Sequence, residues 1–245
     1  MVYTDGARVV RLAHGAAHLR TQVQLQRALD GWPVVPILEA GTLPDGTAYS
    51  LEPCLTGDGG PPTAEGWADL GRTLAALHAL PHRDSGLLLD TETPPWTGSA
   101  TTPAAGLLTR LTHGGGLNRA GLAANPLVGA APDLLSRLLA HWDAVLHTDL
   151  GADNLCWRGG RLAALLDFGD AAVGPVVWDI ASVAYFHGWP AAERVAGAAT
   201  IPDLPGAARF GLLLALHRAG RAAERGQSPA QAVAFAEGCL ERLGG

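Results

Sequence analysis

The sequence predicts an α+β chain in two lobes, a small β-rich N-terminal lobe over residues 1–57 and a larger, mainly helical C-terminal lobe over residues 58–245. Three observations predict it. Turn signals at Asp5-Gly6 and Pro44-Asp45-Gly46 cut the first lobe into short strands. From Thr63 onward, apolar residues recur at helical spacing, as at Trp67, Leu70, Leu74 and Leu77. Between the two patterns lies Asp58-Gly59-Gly60-Pro61-Pro62, a linker in composition.

Val2 to Thr4 and Ala7 to Ala13 form the first hairpin, with strand alternation placing Arg11 on the face of Val9 and Ala13. A helix from about His18 to Asp30 follows, stopped by Gly31 and by Pro33 just beyond. Pro36 to Leu43 and Thr47 to Glu52 form the second hairpin. In the second lobe Thr63 can cap the helix that Pro81 ends. Thr91 to Ala131 is rich in Gly, Pro and Thr, and reads as a substrate-proximal segment or a surface excursion with a short helix around Ala104 to Leu111. Further helices are expected over about Val177 to His187, Pro205 to Glu224 and Pro229 to Leu243, the last with a capping box at Ser228-Pro229-Ala230-Gln231.

The chemistry is concentrated between Val145 and Asp170. Leu155 to Trp157 and Leu162 to Leu166 read as two strands joined at Gly159-Gly160, a pair suited to the positive φ angles of a tight hairpin. With the turn centred there, Asn154 lies opposite Leu165 and Asp167 shares its face. A carboxylate and an amide oxygen converging at the open end of a hairpin are hard ligands, suited to magnesium that is also held by water and phosphate oxygens. Asp149, five residues before Asn154, can then face a substrate hydroxyl.

His147-Thr148-Asp149-Leu150-Gly151-Ala152-Asp153-Asn154, followed by Asp167-Phe168-Gly169-Asp170, Gly174-Pro175 and Trp178-Asp179-Ile180-Ala181, resembles the catalytic signature of the aminoglycoside phosphotransferase and choline kinase branch of the protein-kinase-like fold. Thr148 replaces the Arg usual in protein kinases and no Ala-Pro-Glu segment follows, which favours a small-molecule kinase. Leu74 to Leu80 is similar to a family helix, so the resemblance covers nearly the whole chain.

The resemblance implies ATP as co-substrate, Mg2+ as cofactor and transfer of the γ-phosphoryl group to the hydroxyl of a small molecule. Asp149 is then the catalytic base, Asn154 and Asp167 the metal ligands, and His147 and Asp179 structural supports of the catalytic loop. Glu52 to Gly57 is similar to the family hinge, with Pro53 and Leu55 meeting the nucleotide. Arg11 and Gln22 stand where the family has a phosphate-holding Lys and its helix Glu. Arginine grips phosphate through a planar fork, and a Gln carbonyl can accept one of its hydrogen bonds. A further family strand and a Gly- or Ser-rich phosphate loop would precede Val2, so the first lobe reads as truncated. The alternative is a catalytically silent kinase-like binding protein lacking a complete phosphate loop. A metal-dependent hydrolase using His147, Asp149 and Asp167 would need further closely spaced ligands, which the sequence does not offer.

Composition agrees with an enzyme of this kind. All 17 basic residues are arginine and the formal net charge is -6, which argues against nucleic-acid binding. Cys54, Cys156 and Cys239 are too few and too widely spaced for a disulfide framework or a zinc site, which fits a reducing cytoplasm. No stretch reads as a membrane span or a secretory signal. The identity of the acceptor, ATP against GTP, and the oligomeric state are not legible.

Overall fold

The structure is a computed structural model, and it describes residues 1–13, 17–88, 93–100 and 143–244. Strands β1 (Val2–Thr4), β2 (Arg8–Ala13), β3 (Glu39–Thr42) and β4 (Ala48–Pro53) form an antiparallel sheet of order β1-β2-β4-β3. The first turn is closed by Asp5, whose carboxylate accepts from the amides of Ala7 (2.8 Å) and Arg8 (2.7 Å). Helix α1 (Ala17–Ala28) buries Leu19, Val23 and Leu25, and Gln22 and Gln26 are buried with them. Alternation along β4 turns Ala48, Ser50 and Glu52 inward, so this face carries a buried carboxylate.

Helix α2 (Ala64–His78) starts at Thr63, whose Oγ1 accepts from the Gly66 amide at 3.1 Å, a cap that satisfies one donor of the first turn. Strands β5 (His82–Arg83), β6 (Ser85–Leu88), β7 (Trp96–Ala100), β8 (Asp143–Leu146) and β11 (Ala172–Pro175) form a five-stranded sheet of order β5-β7-β6-β11-β8. The hairpin β9 (Leu155–Arg158) and β10 (Arg161–Leu165) stands apart from it. Four helices follow: α3 (Val177–His187), α4 (Trp189–Ala199), α5 (Leu204–Glu224) and α6 (Ala230–Arg242). The main core joins Leu70, Leu74 and Leu77 of α2 to Val145, Leu146, Phe168, Ile180, Val183, Phe210 and Leu213. Gly71 lets α2 cross α4 closely, since a side chain there would meet the backbone at Val195 and Ala199.

The sequence reading differs from this in three places. The second lobe contains a sheet of which the sequence marks only the strand ending at Leu146; Ala172 to Pro175 is short and buried throughout, which removes the alternating pattern. Helix α4 was also missed; Gly188, at φ +84°, breaks the chain after α3 and a new helix begins at once. The capping box at α6 does not form. The Ser228 hydroxyl accepts from the Ala230 amide at 3.3 Å, but Gln231 reaches the carbonyl of Tyr185 (3.5 Å) instead of turning back. Of the segment Thr91 to Ala131, the short helix around 104–111 lies outside the described residues, whereas Trp96–Ala100 is a strand with Trp96 buried in the core.

One junction carries the first lobe to the hairpin. Leu165 donates to the Pro33 carbonyl (2.8 Å) and accepts from the Val35 amide (3.2 Å), so the segment after α1 lies as a short parallel bridge against β10. That bridge brings Arg11 near the end of β10.

Candidate active site

The loop after β8 is held by a buried acid. Asp179, in the first turn of α3, accepts from the amides of His147 (3.2 Å) and Thr148 (2.8 Å) and contacts His78 Nε2 at 2.9 Å. Ser182 adds a second clamp, accepting from the Leu150 amide (3.1 Å) and donating to the Thr148 carbonyl (3.2 Å). Thr148 needs these bonds, because its φ is +70°, a conformation that costs a β-branched residue on the order of 1–3 kcal/mol. The fully buried His147 ring meets the Leu166 carbonyl (2.8 Å) and the Phe168 ring edge-on, tying the loop to the end of β10. His78 and Ser182 were not singled out from the sequence. His78 closes the helix stripe of α2, and Ser182 follows Asp179 by three residues on one helix face, which is the signal that could have found it.

Asp149 emerges from this loop about one-third exposed. Asn154, at the end of a 3-10 turn (Ala152–Asn154), donates through Nδ2 to the Asp149 carbonyl (2.8 Å) and to its Oδ2 (3.3 Å). The amide nitrogen is thereby committed to Asp149, and among the described residues Oδ1 has no donor. The register of the hairpin corrects the sequence expectation. A β-bulge between Leu162 and Ala164 pairs Leu165 with Leu155, so Asn154 lies beside Leu166, whose amide it accepts at 2.9 Å, and not opposite Leu165. Asp167 follows in a left-handed conformation (φ +56°), its Oδ1 accepting from the Gly169 amide (3.1 Å) and its Oδ2 from Arg11 (3.2 Å). Asp167 therefore reaches the hairpin's open end through the bulge and this backbone turn, not through simple strand alternation.

Arg11 has partners other than Gln22, the one the sequence suggests. Its guanidinium spans Glu52 (Nε to Oε2, 3.3 Å) and Asp167, and it makes no hydrogen bond to Gln22. The reason is register: Val9 pairs with Glu52 and Arg11 with Ser50, so Arg11 and Glu52 are diagonal neighbours on one face of the sheet. Gln22 is buried near Gly169, with its Nε2 lacking an acceptor among the described residues. The sequence reading makes Glu52 only the start of the hinge, whereas the alternation of β4 points it inward.

Just past the end of β4 lies a cleft of about 350 Å³ lined by Leu55, Gly57, Asp153, Cys156, Trp157 and Leu166. Leu55 lines this cleft. Pro53 is not in this lining, because it pairs with Arg8 and so faces the opposite side of the sheet from Arg11 and Glu52. The contact that sequence could not offer is Arg218 of α5. Its Nη2 lies 2.9 Å from Asp149 Oδ1, while its guanidinium covers the Phe186 ring at 4.8 Å. The two residues are 69 positions apart, with no local pattern to connect them.

A β-rich N-terminal part and a helical C-terminal part that carries this acidic loop define a protein-kinase-like fold of α+β class. The solved structures most informative here have it too. A thermostable mutant of aminoglycoside phosphotransferase APH(4)-Ia, in ternary complex with AMP-PNP and hygromycin B, is 17% identical, with 98% of this chain and 87% of that chain covered at a TM-score of 0.68. Aminoglycoside 2'-phosphotransferase-IIIa in its GDP complex is 15% identical, with 98% and 88% covered and a TM-score of 0.65. The gentamicin complex of APH(2")-IIa is 13% identical, with 96% and 85% covered and a TM-score of 0.60. No curated protein matches the chain in sequence. The model of the phosphotransferase enzyme family matches residues 2–233, and the chain belongs to that family.

Proposed function

We propose that this phosphotransferase moves the γ-phosphoryl group of ATP, with magnesium, to the hydroxyl of a small molecule in the cytoplasm. The observation that carries the reading is the pinned loop that bonds Asn154 to Asp149 and is tied through the Leu166 backbone to the end of β10, where Asp167 is bonded to Arg11 from the other part of the chain. Asp149 orients the acceptor hydroxyl and takes its proton; its position on a loop fixed by Asp179 limits the motion that would spoil alignment. The donor set fits magnesium. Asn154 keeps a free carbonyl oxygen because its amide nitrogen is bound to Asp149, and Asp167 supplies a carboxylate that is 43% exposed. Bound there with phosphate oxygens, the cation would neutralise charge developing on the transferred group. Arg11 steadies the nonreacting phosphates, and the base lies against Leu55 at the junction of residues 1–57 with residues 58–245. Relatives crystallised with AMP-PNP in one case and GDP in another are compatible with either purine.

The test is magnesium-dependent nucleotide turnover, ATP beside GTP, with hydroxylated metabolites and antibiotics as acceptors. Acceptor-stimulated ADP release that Asp149→Asn abolishes supports the reading. Nucleotide binding without turnover of any acceptor would favour a silent binding protein instead.

A further inference from the structure

Arg218, which holds Asp149, also lines a cavity of about 200 Å³ to which Asp149 does not contribute. Its wall is made by Tyr185 and Phe186 at the end of α3, by Arg218, Arg221 and Arg225 of α5 and its C-cap, and by the N-terminal residues of α6 from Ser228. No carboxylate lines it among the described residues. Two charges are already partly matched, Arg218 by Asp149 and Arg221 by Glu224 at 3.4 Å. Arg225 has no ion-pair partner among the described residues, and the Arg218 Nε is buried without an acceptor. The first turn of α6, thirteen residues long, adds the positive end of a helix dipole to the same cavity. A cation would meet only like charge here, whereas an anion would gain charged donors against an aromatic wall.

Resting on the phosphotransferase reading above, the geometry points to an acceptor that carries its own anionic group, a carboxylate or a phosphate, alongside the hydroxyl to be phosphorylated. The anion docks between Arg218, Arg225 and the start of α6. Because one guanidinium touches both Asp149 and this cavity, docking draws Arg218 toward the ligand and frees the Asp149 oxygen it holds. The hydroxyl then faces Asp149. No covalent step beyond phosphoryl transfer from ATP is required.

Four probes with closely matched carbon chains test this: D-gluconate, glucitol 6-phosphate, neutral D-glucitol and cationic 1-amino-1-deoxy-D-glucitol, titrated calorimetrically into the full chain with magnesium and AMP-PNP. We expect one of the two anions to bind at least tenfold more tightly than glucitol, since a hydrogen bond to a charged group is worth a factor of about ten or more. Which anion wins distinguishes carboxylate from phosphate. Arg225→Gln should remove most of that preference, and a retained circular-dichroism melt verifies that the variant is folded. Equal binding of all four probes, no binding by any, tighter binding of the amine, or an anion preference unchanged in Arg225→Gln would each overturn the inference. Failure of the phosphotransferase reading appears separately, as absence of magnesium-dependent nucleotide binding with no probe present, or as no ADP release from ATP with a probe that binds.

Discussion

Arg11 and Glu52 meet diagonally across β2 and β4, 3.3 Å apart, and Glu52 is only 3% exposed. The carboxylate that anchors Arg11 thus comes from the sheet, not from α1. Glu52→Gln should weaken ATP binding by roughly tenfold, because Arg11 would then be held by Asp167 alone and would be free to compete for it with the metal. Comparing nucleotide affinity in Glu52→Gln and Gln22→Ala checks this; a larger loss in Gln22→Ala would return the anchoring role to the helix.

Gln22 presents the opposite case. Its Nε2 is buried without an acceptor among the described residues, a state that costs about 1–3 kcal/mol. Gln22→Leu, close in volume, should raise unfolding stability by about 1 kcal/mol in urea titration while nucleotide affinity stays near the parental value.

Asp149→Asn keeps the shape of the loop and removes the proton acceptor. Turnover should fall by about 10²- to 10⁴-fold with ATP binding largely retained. Magnesium coupling separates the neighbouring roles. Asp167→Ala should abolish the strengthening of ATP binding by magnesium, and Asn154→Ala should reduce it less, since an amide contributes only a dipole. Isothermal titration with and without the cation reads both.

Asp179→Ala would leave the amides of His147 and Thr148 without their buried acceptor while Thr148 stays at positive φ. Loss of two hydrogen bonds to a charged group should cost about 3 kcal/mol or more. A stability change within 0.5 kcal/mol of zero, roughly the size seen for ordinary surface substitutions, would refute the anchoring role.

His187 gives the chain a pH dependence of definite sign. Burial pushes its imidazole below the ordinary value, with its 2.9 Å hydrogen bond to the Leu150 carbonyl opposing the shift in part. The unfolded chain, titrating near 6.5, therefore binds more protons than the folded one in the interval beneath that value. Stability from this residue is complete above pH about 6.5 and is lost as pH falls through that interval. His187→Gln should flatten the difference in urea midpoint between about pH 7.5 and about pH 5.5.

The sequence by itself determined whatever depends on neighbours along the chain. Gly46 at φ +84° closes the turn its Pro-Asp-Gly signal announces, Thr63 caps α2, and Asp149 and Asn154 sit five residues apart on one loop because that spacing is written in the chain. The alternation that sent Arg11 to the inner face was equally legible. Tertiary structure decided what depends on register and on distant partners. A single bulge moved Asn154 from Leu165 to Leu166, a shift that strand alternation cannot foresee because it inserts one residue into a period of two. It also decided that Arg11 pairs with Glu52 and that Arg218 reaches Asp149. Each of those choices rests on how separate elements pack, and side-chain charge carries no information about which distant opposite charge the fold will bring within 4 Å.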